Sequence, residues 1–241
     1  LDPIDMIDGI GLEELVEKRC GNMMQPQLAK KIEKATRKQF PDGIESYGTD
    51  ALRFTFASQA TLGRDIRFDL ARVEGYRNFC NKLWNASRFV YMTTDGYNYE
   101  DKIKFDDLTT YEKFIVIKLD DLVTEYKKHC TSYRFDLMAN SLYSFIWNEY
   151  CDWFVEISKV EIDNGNEYTK NVLIYTLQII LKLCHPIIPY ITEEIWNEMN
   201  SLGYTNDQIL MNAKFPSQQK IFKDKAIDAE VSLLKEFINK I

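Results

Sequence analysis

The chain is 241 residues long, with 45% hydrophobic and 13% aromatic residues, 30 Lys and Arg against 37 Asp and Glu, and a formal net charge of −7. This composition excludes a disordered chain, and no apolar run approaches the roughly 18 residues that cross a bilayer as a helix. The acidic total gives no support to nucleic-acid binding, but the sign is unevenly spread. Residues 1–17 hold six acids and no base, residues 18–38 seven bases and one acid, and residues 64–88 six bases and three acids. Charges further apart than a Debye length of about 8–10 Å are screened, so local patches decide phosphate binding. The opening LDPIDMID lacks an initiator Met and both regions of a signal peptide. The chain is therefore expected to be a cytoplasmic piece of a longer protein, with no membrane partner.

Residues 1–20 read as a short strand or loop, then a helix from Leu12 to Lys18. Pro26 sits near the first turn of a helix through Phe40, where its missing N–H costs nothing. Leu28, Ile32 and Ala35 form its expected inner face; Lys30, Lys34, Arg37 and Lys38 form an outer basic stripe, and PDG at 41–43 ends it. A helix follows from Asp50 to about Ala60, then a break at Gly63.

The longest helix falls within residues 64–92. Val73, Tyr76, Cys80, Leu83, Ser87 and Val90 recur on one side of it, and Asn78, Lys82, Asn85 and Phe89 on the far side, with Arg77, Asn81 and Arg88 in a third row. Amides, cations and an aromatic on one face suit the reading of unstacked bases. The same pattern also fits a solvated face with one ring packed on a neighbour.

A polar loop at 93–107 follows, in which Asp106 or Asp107 is expected to cap a helix running to about Cys130. Leu108, Tyr111, Ile115, Leu119, Leu122 and Tyr126 are its inward residues. Phe135 to Ser158 reads as another helix, with Leu142, Phe145, Ile146, Tyr150, Trp153 and Ile157 inward and Asn148, Asp152, Glu156 and Lys159 opposite. Asp152 and Glu156 are one turn apart and could hold a cation; Lys159 makes a surface ion pair the simpler expectation. Val172 to Cys184 is apolar nearly all round and should be central. Pro186 and Pro189 re-aim the chain into ITEEIWNEM, ILMNAKFP reads as an extended arm, and a last helix starts at Ala226.

The five cysteines are scattered, and Cys80, Cys151 and Cys184 read as small core residues in a reducing compartment. The two histidines and five cysteines do not fall at metal-ligand spacings, so no metal site is expected. No nucleophile–base constellation stands out, so no catalytic residue is assigned. Glu193 and Glu194 read as a solvated helix start and His185 as a satisfied, half-buried side chain.

GTDALRFTFAS (48–58), GRDIRFD (63–69) and EGYRNFCNKLWNASRFV (74–90) resemble the segment just after the catalytic domain of the valyl-tRNA synthetase family of class I enzymes. LDPIDMIDG resembles the sequence following that family's KMSKS loop, and WNEYCDWFVEISK (147–159) and HPIIPYITEEIW (185–196) resemble its anticodon-binding helices. The resemblance implies a mainly α fold: a small mixed or helical, stem-contact-like region at 1–63, with a family-variable insertion at about 10–46. An antiparallel anticodon-binding bundle at 64–200 and an extended arm with the start of a further helix at 201–241 complete it.

By position it implies that Phe89 stacks on an anticodon base, that Val155, Glu156 and Lys159 lie beside the bases, and that Arg77, Lys82 and Arg88 serve backbone or base edges. Lys30, Lys34, Arg37, Lys38 and Arg64 are the expected tRNA-backbone contacts. Ala71 departs from the family pattern, in which a basic residue is common. The implied partner is valine tRNA, with no DNA, and the chain is expected to be a monomer. ATP and magnesium belong to the intact ligase, whose catalytic motifs these residues lack, so the chain alone should be inactive and carry no cofactor. The alternative is a helical protein-interaction module without RNA binding.

Overall fold

Asp2 accepts a hydrogen bond from the Ile4 N–H at 3.0 Å and Pro3 takes the first helical position, so the chain opens on helix α1 (Pro3–Ile7) where a strand or loop was expected. The computed structural model describes residues 1–21, 25–61, 69–218, 225–238 and 240. Helix α2 (Leu12–Cys20) and, after a 3₁₀ turn at Pro26–Leu28, helix α3 (Ala29–Gln39) pack on each other. Ile10 and Ile44 form one antiparallel bridge, each N–H donating to the other's carbonyl at 2.9 Å. Met6, Ile10, Leu15, Phe40, Ile44 and Leu52 close a small core. Leu28 lies in the 3₁₀ turn before α3, so Leu28 and Ala35 stay exposed and the inner face runs through Ile32 and Thr36 to Phe40.

Helix α4 (Thr49–Gln59) joins two cores, with Leu52 in the small one and Phe54 in the large one. Helix α5 (Leu70–Thr94) begins at Asp69, which accepts from the Ala71 N–H at 3.1 Å. The expected break at Gly63, the boundary between residues 63 and 64, and Arg64 lie outside the described residues. Val73, Cys80, Leu83, Ser87 and Val90 are buried as their spacing predicts.

All six expected inward residues are buried, Leu108 just before and the other five on helix α6 (Thr110–Thr131). Its cap is Thr109, not Asp106 or Asp107, which lie in a 3₁₀ turn. Thr109 and Glu112 satisfy each other's backbone N–H groups in a capping box. Glu112 is 1% exposed, and its other oxygen accepts from the Thr169 hydroxyl at 2.7 Å, tying α6 to helix α9 (Tyr168–Cys184). As expected, α9 is central, with Val172, Leu173, Ile174, Leu177, Ile180, Leu181, Leu183 and Cys184 all buried.

Helix α7 (Phe135–Ser144), a π-helical segment (Phe145–Phe154) and α8 (Val155–Asp163) form one continuous rod, longer than the expected 135–158. Through the π segment, i→i+5 hydrogen bonding rotates the face that follows. Phe154, Val155 and Ser158 therefore turn inward, while Trp153 and Ile157 are only half-buried. Short links from α6 to α7, α8 to α9 and α9 to α10 (Pro189–Ser201) fold these helices back as antiparallel neighbours.

Two distant segments meet at the start of α10. The Asp50 carboxylate accepts from the N–H groups of Tyr190 (3.4 Å) and Ile191 (2.7 Å), and Arg53 donates to the carbonyls of Ile187 (2.8 Å) and Pro186 (3.0 Å). Helix α10 has no cap from its own preceding residue, so α4 supplies one.

Beyond α10, residues 202–218 run back along the bundle, with Tyr204 and Leu210 in the large core. Leu210 is buried, its N–H donates to Glu193 at 3.1 Å, and the Trp196 indole donates to the Asp207 carbonyl at 2.8 Å. Glu193 is thereby an anchoring residue and not a solvated one. Helix α11 (Lys225–Ile238) packs on α6 through Val231 and Lys235. Among the described residues no strand forms, and no helix is long and apolar enough to cross a membrane.

Candidate nucleic-acid interface

Phe89, Glu156 and Lys159, far apart in sequence, come together between α5 and α8. Phe89 is half-buried, its inner edge against the large core. The Lys159 ammonium lies 5.3 Å from the Phe89 ring centroid and donates to both oxygens of Glu156 at 2.8 Å. Glu156 and Lys159 are exposed, as their helical spacing predicts. Val155 differs: it is 5% exposed and packs in the large core, because the π segment turns it inward. Its side chain therefore belongs to the core and not to the exposed face that carries Glu156 and Lys159.

Lys82, two turns before Phe89 on α5, forms a second cluster. Its ammonium sits 3.9 Å from the Trp147 ring centroid and pairs with Asp152. Asp152 thus does hold a cation, as does Glu156, and in both cases the cation is a lysine ammonium. Trp147 carried no role in the sequence reading. Period-3.6 spacing puts it beside the core stripe, and nothing in FIWNEYCDWF announces the π geometry that presents it to Lys82.

The remaining residues divide. Arg88 is exposed and makes no ion pair among the described residues. Arg77 is turned toward the amino-terminal unit: it pairs with Glu45 at 3.2 Å, donates to the Ser46 carbonyl at 3.2 Å and lies over the Tyr47 ring at 5.2 Å. On α3, Lys30, Lys34 and Lys38 are exposed, but Arg37 is held by both oxygens of Glu13 (2.5 and 2.8 Å) and by Glu33 at 3.0 Å. Those bonds raise the Arg37 pKa and lower that of Glu13. Arg37 joins α2 to α3 and is not a free phosphate contact.

At the α9–α10 turn, the His185 Nδ1 lies 2.9 Å from the Thr192 hydroxyl, and burial lowers its pKa against the opposing pull of Glu193 and Asp50. Burial raises the pKa of Cys80 and of Cys151 to about 12, and that of Cys184 too, as befits inert core thiols. Among the described residues, no three His, Cys, Asp or Glu side chains gather into a metal-holding group.

Two half-buried rings, each with a lysine paired to an acid, thus lie between α5 and the α7–α8 rod. The chain belongs to the family described as the anticodon-binding domain of tRNA ligase, which matches residues 112–241. It is 47% identical to the valine–tRNA ligase of Buchnera aphidicola subsp. Schizaphis graminum over 99% of this chain and 25% of that protein. It is 47% identical to the valine–tRNA ligase of Dechloromonas aromatica over 98% of this chain and 26% of that protein, and 46% identical to that of Xanthomonas campestris pv. campestris over 99% and 26%. The chain thus spans about a quarter of the length of these relatives. A crystal structure of the ternary complex of Agrobacterium radiobacter K84 agnB2 LeuRS with tRNA and LeuAMS shares the fold, at TM-score 0.54 and 15% identity, over 83% of this chain and 21% of that one.

Proposed function

We propose that this chain is the tRNA-binding part of a valine–tRNA ligase and reads the anticodon of valine tRNA. The observation that carries the reading is the meeting of Phe89, Glu156 and Lys159 on one face of α5 and α8. A ring offers a stacking surface for an unpaired base, and a carboxylate accepts from the exocyclic amine of cytosine or adenine. Arg88 and Lys82 flank the site, and Lys30, Lys34 and Lys38 face solvent for backbone phosphates. Attachment of valine, with ATP and magnesium, is assigned to parts of the intact enzyme beyond these residues. The chain acts as a monomer in the cytoplasm. Family membership weighs against a protein-interaction module without RNA binding.

The test compares cognate and non-cognate tRNA binding by the wild type, Phe89→Leu and Glu156→Gln. Leucine keeps most of the packing of a half-buried ring and removes its π face. Phe89→Leu should weaken valine-tRNA binding by about tenfold, since base–aromatic stacking is worth about 1–3 kcal/mol, with little change in Tm. Glu156→Gln should relax discrimination between anticodons more than it lowers affinity, because base-edge contacts carry sequence and phosphate contacts do not. If both variants bind both tRNAs like the wild type, the reading fails.

A further inference from the structure

The Lys82 cluster repeats the Phe89 cluster part for part. In one, α5 supplies the ring (Phe89) and α8 the lysine and acid (Lys159, Glu156); in the other, α5 supplies the lysine (Lys82) and the π segment the ring and acid (Trp147, Asp152). Lys82 and Phe89 are seven residues apart, two turns or about 10 Å along α5. Asp152 and Glu156 are four apart on the facing rod. The two clusters therefore neighbour each other along α5 and the rod that faces it.

We propose that the Trp147 ring is a second base-stacking site, taking an unpaired nucleotide of the same RNA loop beside the one at Phe89. This rests on the reading of the chain as an RNA binder. The ring is built as a platform: Tyr143 stacks behind it at 5.5 Å with 14° between planes, and Phe79, fully buried, stacks behind Tyr143 at 5.2 Å. Lys82 covers the ring on one side, and the acid that holds Lys82 is exposed. An arriving base takes the place of the ammonium on the ring, and the ammonium swings to the phosphate that accompanies the base. The π segment is the device that assembles the site, since its i→i+5 pattern brings Trp147 and Asp152 to one side, where an α-helix would set them apart. Such segments are rare and recur at functional sites.

The experiment uses a hairpin RNA with the valine anticodon stem and loop, carrying aminopurine at one loop position at a time. With the wild type, binding should quench fluorescence at two distinct positions. Trp147→Leu should abolish quenching at one position only and weaken binding about tenfold; Trp147→Phe, which keeps a ring, should recover most of both. Wild-type affinity and unchanged quenching in Trp147→Leu would overturn the proposal. If Phe89→Leu is then also silent, the RNA reading falls with it; if Phe89→Leu weakens binding, only the second site is lost. Should Trp147→Leu lose its helical circular dichroism, thiouridine crosslinking of the wild type decides. A crosslink at Trp147 supports the site; crosslinks elsewhere, or none, reject it.

Discussion

A Cβ at Gly43 would lie 2.3 Å from the Ile10 carbonyl oxygen, and the residue sits at φ +86°, so two independent constraints demand glycine there. Gly43→Ala should destabilise the chain by at least about 2 kcal/mol, read by urea denaturation. At His185 the burial-lowered pKa sets a pH dependence. The folded state holds its proton less tightly than the unfolded chain, whose value is near 6.5. This contribution is complete above about pH 6.5 and is lost as pH falls through the lower folded value. Stability should therefore rise with pH up to about 6.5, and His185→Gln should flatten that rise in thermal melts from pH 5 to 7. Arg37 shows where residue-level reading stops: its helical row was legible, but the claim of Glu13 on it was not, because that partner lies 24 residues away.

The clamp between α4 and the α9–α10 turn works at the level of elements. Removing the Asp50 carboxylate leaves the N–H groups of Tyr190 and Ile191 without their acceptor. Asp50→Ala should cost about 1–2 kcal/mol, as loss of a helix cap does, and Arg53→Met should show non-additive coupling with it in a double-mutant cycle. Chemical denaturation of the four proteins measures both. Helix α6 was legible from sequence because its stripe keeps the 3.6 period without interruption. Its cap was legible too, as T-x-x-E at 109–112, a signal that the neighbouring aspartates obscured. The π segment had no such signal: its residues obey the helical pattern through Tyr150, and the departure shows only at Trp153 and Ile157, where the segment packs against α5 and α6. The resemblance put Val155 beside the bases, and no spacing in this segment showed it turning inward or gave Trp147 a role. The α1 helix was announced by Asp2-Pro3, a cap and first-turn pair read instead as a loop.

For the whole molecule, the charge map yields a test of RNA binding that no single contact does. Each phosphate neutralised changes the log–log salt slope by about 0.7 to 0.9. Replacing Lys30, Lys34 and Lys38 together by Gln should make the slope shallower by about 2 to 3 if all three touch tRNA, whereas Arg37→Met should lower Tm and leave the slope unchanged. Titrations of valine tRNA across a fourfold range of salt separate these outcomes. The mainly α fold was legible because apolar stripes dominate the sequence; the grouping of Phe89, Glu156 and Lys159 was reached through family resemblance, since no local pattern links residue 89 to residues 156 and 159. The clamp also sets a clock. Its partners are separated by 133 to 141 residues, and a ribosome adds about 5–20 residues per second. Asp50 and Arg53 therefore leave the ribosome about 7 to 28 s before the turn they grip. During that interval α5 and α7 emerge and pack on α4, and Arg77 takes up Glu45 and Ser46, so the clamp closes last on an amino-terminal unit already joined to the bundle.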